Sequence, residues 1–311
     1  MNIAAIVITY NDGYKFQEWI IHHQEYKDEI YMHIIVDNCS EPEYLKKVEE
    51  KFTHSVIIKR GSNGGCTAAY NDGIKYALSH PEVDAIMLIG NDIRLEKGGA
   101  TTLYNLLMSN KQYGMVAPIL LEKDSDTISD FGCTISTTLS MGPFNAGEKI
   151  HDVGVDTHEA EALTGGMNLS KREFYEIVGL QDEKLFMYSD EVDMGIRALQ
   201  NNFKMVATKT AKSWHQHINM SVQSDTRHPF SSYLIGRNKV YLSKKHFNFS
   251  RTLYVFLHYA KKAFMGCTIS TLKRNDKAFQ SNLWLLYGVI NGLLGNMKHN
   301  KYSQPFTDKI V

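Results

Sequence analysis

Ile3-Ala4-Ala5-Ile6-Val7-Ile8-Thr9-Tyr10-Asn11 begins as an unbroken apolar run and ends abruptly in polar residues. A short continuous apolar run rich in β-branched residues reads as a strand buried on both faces. Three similar runs follow, at 33–37, 55–59 and 84–89, and the stretches between them, 14–26, 43–52 and 67–79, carry helical spacing. Strand and helix in alternation predict an α/β fold with a mostly parallel central sheet flanked by helices. The strand ends are polar in the same way: Tyr10-Asn11 after the first, Asp37-Asn38 after the second and Asn91-Asp92 after the fourth. Ligands of open parallel sheets bind beyond the carboxyl ends of the strands, where loops and helix N-termini converge. These clusters are therefore the first candidates for a site.

The bulk properties narrow the class. At 311 residues the chain has room for one large α/β domain and an appendage, and 43% hydrophobic with 22% charged residues is ordinary for a folded globular protein. Thirty-four basic residues balance thirty-four acidic ones, so no global field draws the chain to nucleic acid. Cys39, Cys66, Cys133 and Cys267 are far apart, which fits neither a disulfide framework nor a zinc cluster and agrees with a cytoplasmic setting. The N-terminus lacks the basic region and cleavage site of a signal peptide, and no stretch reaches the roughly 20 apolar residues that cross a bilayer.

Residues 120–162 show weak periodicity and read as strand fragments and loops. Beyond about 225 the pattern turns helical, at 231–245, 251–273 and 278–294. We expect a catalytic domain over 1–225 and a helical appendage over 226–311. Its second helix mixes Tyr254, Phe256, Leu257, Tyr259 and Phe264 with Lys261 and Lys262. Such a face suits either a peripheral membrane contact or a homodimer interface.

Several clusters recur in one order: Ile8-Thr9-Tyr10-Asn11, Val36-Asp37-Asn38, Asn63-Gly64-Gly65 with Asn71-Asp72-Gly73-Ile74, Gly90-Asn91-Asp92, Thr164-Gly165-Gly166, Asp190-Glu191-Val192-Asp193 with Arg197, and Arg237-Asn238. This ordered set, over roughly residues 3–240, resembles the family 2 glycosyltransferases of the GT-A fold, the rhamnosyltransferase-like enzymes of bacterial surface polysaccharides. The resemblance implies an inverting transferase that moves a sugar from a nucleoside-diphosphate donor (UDP, dTDP or GDP) to a glycan or lipid-linked glycan. It implies donor contacts from Thr9, Tyr10, Asn11, Asp37, Asn63, Gly65, Asn71, Asn91, Gly165, Gly166 and Arg237, with Asp37 reading the base.

The same resemblance places a divalent cation, Mg²⁺ or Mn²⁺, on Asp92, the last carboxylate of an Asp-x-Asp signature whose first position here is Gly90. A hard cation takes oxygen ligands and neutralises the departing diphosphate. His215 is the implied second ligand, with His217 as the alternative. In the acidic motif Glu191 aligns with the general base and Asp190 competes with it; taking a proton from a sugar hydroxyl needs a poised carboxylate. Two other classes fit a similar sheet. A nucleotidyltransferase would need a Gly-rich basic loop after the first strand, which Tyr10-Asn11-Asp12-Gly13 does not supply. A non-catalytic nucleotide-sugar-binding module would keep the pocket and dispense with the paired acids.

Overall fold

The computed structural model describes residues 1–164, 166–216 and 227–298. Its described residues divide into two compact units: Met1–Thr134, Met141–Gln181 and Met194–Gln223 in the first, Ile135–Ser140, Asp182–Asp193 and Ser224–Val311 in the second. The second unit thus takes two internal segments besides the C-terminal helices, a grouping that a linear boundary near 225 does not anticipate.

In the first unit, β1 (Ile3–Thr9), β2 (Met32–Asp37), β3 (Val56–Lys59) and β4 (Ala85–Ile89) lie parallel in the order β3-β2-β1-β4. Helices α1 (Phe16–Tyr26), α2 (Pro42–Lys51) and α3 (Gly65–Leu78) connect them, and β5 (Ile93–Leu95) and α4 (Gly99–Ser109) follow β4. Strand alternation sorts the core into two faces. Ile6, Ile34, Val36, Ile86 and Leu88 pack with Ile74 of α3, whereas Val7, Ile35, Met87 and Ile89 share a cluster with Phe16 and Trp19 of α1. Each such buried side chain contributes roughly 1.5–3 kcal/mol. Gly73 lets α3 lie close on β1, since a Cβ there would stand 2.5 Å from Ile6 Cγ2.

The other half of the sheet is mixed. It is built from β6 (Tyr113–Glu122), β7 (Ile128–Asp130), β10 (Thr157–Ala160), β11 (Met167–Lys171) and β12 (Lys204–His215), while β8 (Cys133–Ile135) and β9 (Met141–Pro143) form a separate ribbon. β11 runs antiparallel to both β4 and β6, and β12 lies parallel to β6. Periodicity alone locates neither the ten-residue β6 nor the twelve-residue β12. Helix α5 (Arg172–Val178) follows β11, and α6 (Asp190–Gln200) begins on the acidic motif.

The second unit packs α7 (Pro229–His246), α8 (Phe249–Leu272) and α9 (Asp276–Leu294). Asn248 and Asn275 cap α8 and α9 by accepting the N–H of Arg251 and of Ala278. A Cβ on Gly288 would stand 2.1 Å from the Tyr233 carbonyl oxygen, so α7 and α9 touch backbone to backbone. Among the described residues, no helix is long and apolar enough to cross a membrane.

Candidate active site

The register sets Thr9 beside Asp37 at the carboxyl edge of the parallel strands, where Asn91 and Asp92 also emerge. Side chains tie the loops there to one another. Buried Thr9 shares its hydroxyl with Tyr44 at 2.5 Å. Asp12 accepts the Tyr10 N–H at 3.0 Å and the Asn91 amide at 2.8 Å. Asn11, at φ 52°, donates its N–H to Ser40 Oγ and accepts the Glu41 N–H. Asp37, only 2% exposed, accepts the Ser40 N–H at 3.1 Å. Asn38 joins Asn63 and Gly65, whose φ is 78°. Four loops thus form one hydrogen-bonded rim.

Asp92 closes that rim. Its Oδ2 lies 2.9 Å from Lys15 Nζ and 3.3 Å from His215 Nε2, and its carbonyl accepts the Gln216 N–H, which joins the end of β12 to the end of β4. Burial pushes the carboxyl up. The hydrogen bond with His215 and the charge of Lys15 outweigh it and hold Asp92 well below the usual carboxylate range. Burial pulls Lys15 down, and Asp92 with Asp12 more than restores it. At Gly90 a Cβ would meet Asp92 Oδ1 at 2.8 Å, so the glycine leaves the Asp92 carboxylate room to lie close against the strand end.

In the second unit the chain reaches Asp190 through a strained turn. Phe186, Tyr188 and Ser189 all have φ near +66°, a region that side chains disfavour. Arg237 and Asn238 of α7 hold it. The Arg237 guanidinium, fully buried, donates to the carbonyls of Lys184, Leu185 and Met297, and the Asn238 amide donates to those of Leu185, Met187 and Tyr188. Asp190 is 8% exposed, and burial, then the neighbouring Glu191 carboxylate, pushes it well above the usual range. Asp193 is pinned by Lys245 and His246, each at 2.7 Å. Lys239 donates to the Leu139 carbonyl, and burial lowers its ammonium to about 8.

No family model matches the chain. It is 22% identical over 219 residues to the low-salt glycan biosynthesis hexosyltransferase of Haloferax volcanii, covering 69% of this chain and 68% of that one. It is 27% identical over 201 residues to the dTDP-rhamnosyl transferase of Shigella flexneri, a match that spans 64% of this chain and 63% of that protein. In three dimensions it resembles GalNAc-T7, solved with UDP, GalNAc and Mn²⁺, with a TM-score of 0.65 at 11% identity over 96% of this chain and 58% of that one. It also resembles the mannosyltransferase of Pyrobaculum calidifontis, solved with GDP-Man and Mn²⁺, with a TM-score of 0.55 at 10% identity over 94% and 87%. The chain is a glycosyltransferase of the GT-A fold.

Of the expected donor contacts in this glycosyltransferase, Thr9, Tyr10, Asn11, Asp37, Asn63, Gly65 and Asn91 share the rim with Asp92 and His215. Gly166 is at its margin, accepting the Gly90 N–H at 2.9 Å. Two others are engaged with the main chain. Asn71 uses both ends of its amide on the main chain of Gln181, donating to its carbonyl and accepting its N–H at 2.9 Å. Arg237 uses its fork on carbonyls, where a phosphate ligand would need it free to face solvent. Gly165 and His217 lie outside the described residues. Sequence reading missed Lys15, which sits in no motif, and Lys239, whose position shows only once α7 packs.

The corner suits a divalent cation by its donor set. One carboxylate oxygen and one imidazole nitrogen, 3.3 Å apart, are spaced as two adjacent ligands of one six-coordinate ion would be. The Lys15 ammonium on the same oxygen marks it as a place that holds positive charge. Among the described residues no third His, Cys, Asp or Glu joins them.

Proposed function

We propose that this glycosyltransferase moves a sugar, with inversion, from a nucleoside-diphosphate donor to a hydroxyl of a glycan or lipid-linked glycan. The observation that carries the reading is the rim: the residues suited to a nucleoside and those suited to its diphosphate are hydrogen-bonded into one carboxyl edge. Asp37 and the strand-end backbone would read the base, and Asn91 and Asp92 would face the phosphates. When bound to Asp92 and His215, Mg²⁺ or Mn²⁺ would supply charge that stabilises the departing diphosphate. Glu191, more exposed than Asp190, takes the acceptor proton. Asp190 keeps one proton within the acidic pair, as two coupled carboxylates do. Surface-polysaccharide synthesis is our proposed setting; one relative is named for glycan biosynthesis and the other as a dTDP-rhamnosyl transferase, so a dTDP-deoxyhexose is the donor to try first.

Release of nucleoside diphosphate from a panel of UDP, dTDP and GDP sugars, with and without EDTA, tests the reading. Transfer that needs a hydroxyl acceptor and inverts the anomer supports it. Pyrophosphate release from a sugar phosphate and nucleoside triphosphate would make the chain a nucleotidyltransferase, and tight donor binding without turnover would make it a binding module.

The helical appendage we assign to an anionic membrane surface on the cytoplasmic side. Residues 227–298 carry twelve Lys and Arg but one acid, Asp276, in a chain that is neutral as a whole. Helix α8 also exposes Phe249, Leu257, Phe264 and Leu272 beside Lys261 and Lys262. Apolar side chains among cations fit an acidic lipid interface. A two-fold dimer through the same face would set like charges together. Co-sedimentation with anionic vesicles that weakens in salt supports this assignment; a dimer that ignores vesicles overturns it.

A further inference from the structure

Lys15 precedes α1 and is held by what surrounds it. Its N–H donates to the Asp12 carbonyl at 3.0 Å, and the next residue, Phe16, is buried edge-on against Trp19, Tyr44 and Phe52. The side chain, 15% exposed, places Nζ 2.9 Å from the Asp92 Oδ2 that also faces His215. We propose that Lys15 is an internal cation that occupies the Asp92 oxygen until a nucleoside diphosphate arrives, so that diphosphate and divalent cation bind cooperatively. The inference rests on the reading of Asp92 and His215 as the cation site.

An ammonium and a divalent ion compete for a single carboxylate oxygen, because each repels the other at ligand distance. In the free protein Lys15 therefore weakens metal binding. A diphosphate offers the ammonium two or more negative charges within reach of its flexible stem, which frees Asp92 and His215 for the metal. Two ligands that each favour the state with Lys15 released must raise one another's affinity by the same factor. The diphosphate also compensates the charge: it brings together a metal, a lysine and the acid that neither cation alone would balance.

Mn²⁺ titration followed by the electron paramagnetic resonance of the free ion tests this without turnover. It is run on the full chain, wild type, Lys15→Met, Lys15→Arg and Asp92→Asn, with and without UDP, dTDP or GDP. Wild type should bind Mn²⁺ weakly alone and about tenfold or more tightly with the diphosphate that fits. Lys15→Met should bind Mn²⁺ about tenfold more tightly than wild type when no nucleotide is present, and should lose most of the boost from nucleotide. Lys15→Arg, which keeps the charge, should behave as wild type, and melting curves report that each variant is folded. If Lys15→Met binds Mn²⁺ no better than wild type while Asp92→Asn binds it worse, Lys15 is a structural ion-pair partner and the proposal is overturned with the cation site intact. If Asp92→Asn leaves Mn²⁺ binding unchanged, or no variant binds Mn²⁺ even with nucleotide, the cation site itself is wrong and the proposal goes with it.

Discussion

Two buried aspartates lie in the two regions to which the proposed chemistry is assigned, and their surroundings drive them in opposite directions. Asp92 sits against Lys15 and His215, which hold it ionised despite its burial. Asp190 sits against Glu191 and Asp193; its burial and their like charge favour its proton. Lys239 adds a cation to the second region, where Lys245 pairs with Asp193, and burial weakens the Lys239 ammonium. On the proposed reading, the first environment suits charge that arrives with a ligand, and the second suits handling a proton. Pushing two carboxyls apart in this way is how one fold assigns them separate tasks.

The sharpest way to break this comparison is Glu191→Gln, which keeps size and hydrogen bonding and removes the carboxylate. Transfer should fall by roughly 10²–10⁴ while donor affinity measured by calorimetry stays near normal. Asp190→Asn should be milder in rate. If their severities are reversed, Asp190 is the base.

Asp92→Asn attacks the other region and should produce the opposite split. Turnover should drop by about 10²–10³, with donor binding no longer responding to Mn²⁺ or EDTA. It should also lower the melting temperature, since Lys15 is left mostly buried beside an uncharged amide. Unchanged turnover and metal response would show that the charge held at this corner serves only the fold.

The first region was the more legible of the two. Its residues follow strands whose apolar runs are plain in the chain, so Thr9, Asp37 and Asp92 could be placed at one sheet edge before any coordinates. Strand β1 came out at the expected 3–9, and α7, α8 and α9 begin within two residues of the expected starts. Lys15 was invisible because an ion pair across 77 residues leaves no local pattern. The second region was legible as an acidic motif but not as an environment. Its turn has positive φ at Phe186, Tyr188 and Ser189, where no glycine announces it, and its support comes from a helix 50 residues away. Asn71 and Arg237 illustrate the same limit: polar residues in a motif look alike whether they meet a ligand or a carbonyl.

That support is itself testable. Asn238→Ala removes the amide whose two hydrogens are shared among three main-chain carbonyls of the strained turn and should cost about 2–4 kcal/mol of stability. Because the turn leads directly into Asp190 and Glu191, rate should fall as well, while Mn²⁺ binding at Asp92 stays normal. A variant that melts early but transfers sugar at the wild-type rate would show that the turn does not position the acids.

The smallest effect is the most discriminating, because its sign differs between the two aspartates. Asp190 ionises near pH 4 in the unfolded chain and well above that when folded. Between those values the folded state holds a proton that the unfolded state has released, so stability falls as pH rises through this window. Asp190→Asn keeps the shape, removes the titration and should raise stability by about 1 kcal/mol at neutral pH. Its advantage over wild type should shrink as pH is lowered toward 4. Asp92, depressed when folded, contributes stability above pH 4 that is lost as pH falls, so Asp92→Asn is destabilising where Asp190→Asn stabilises. Chemical denaturation of both variants from pH 4 to 8 measures this. Parallel curves of the same sign would mean that the two carboxyls share one environment, and the division of labour drawn between them would fail.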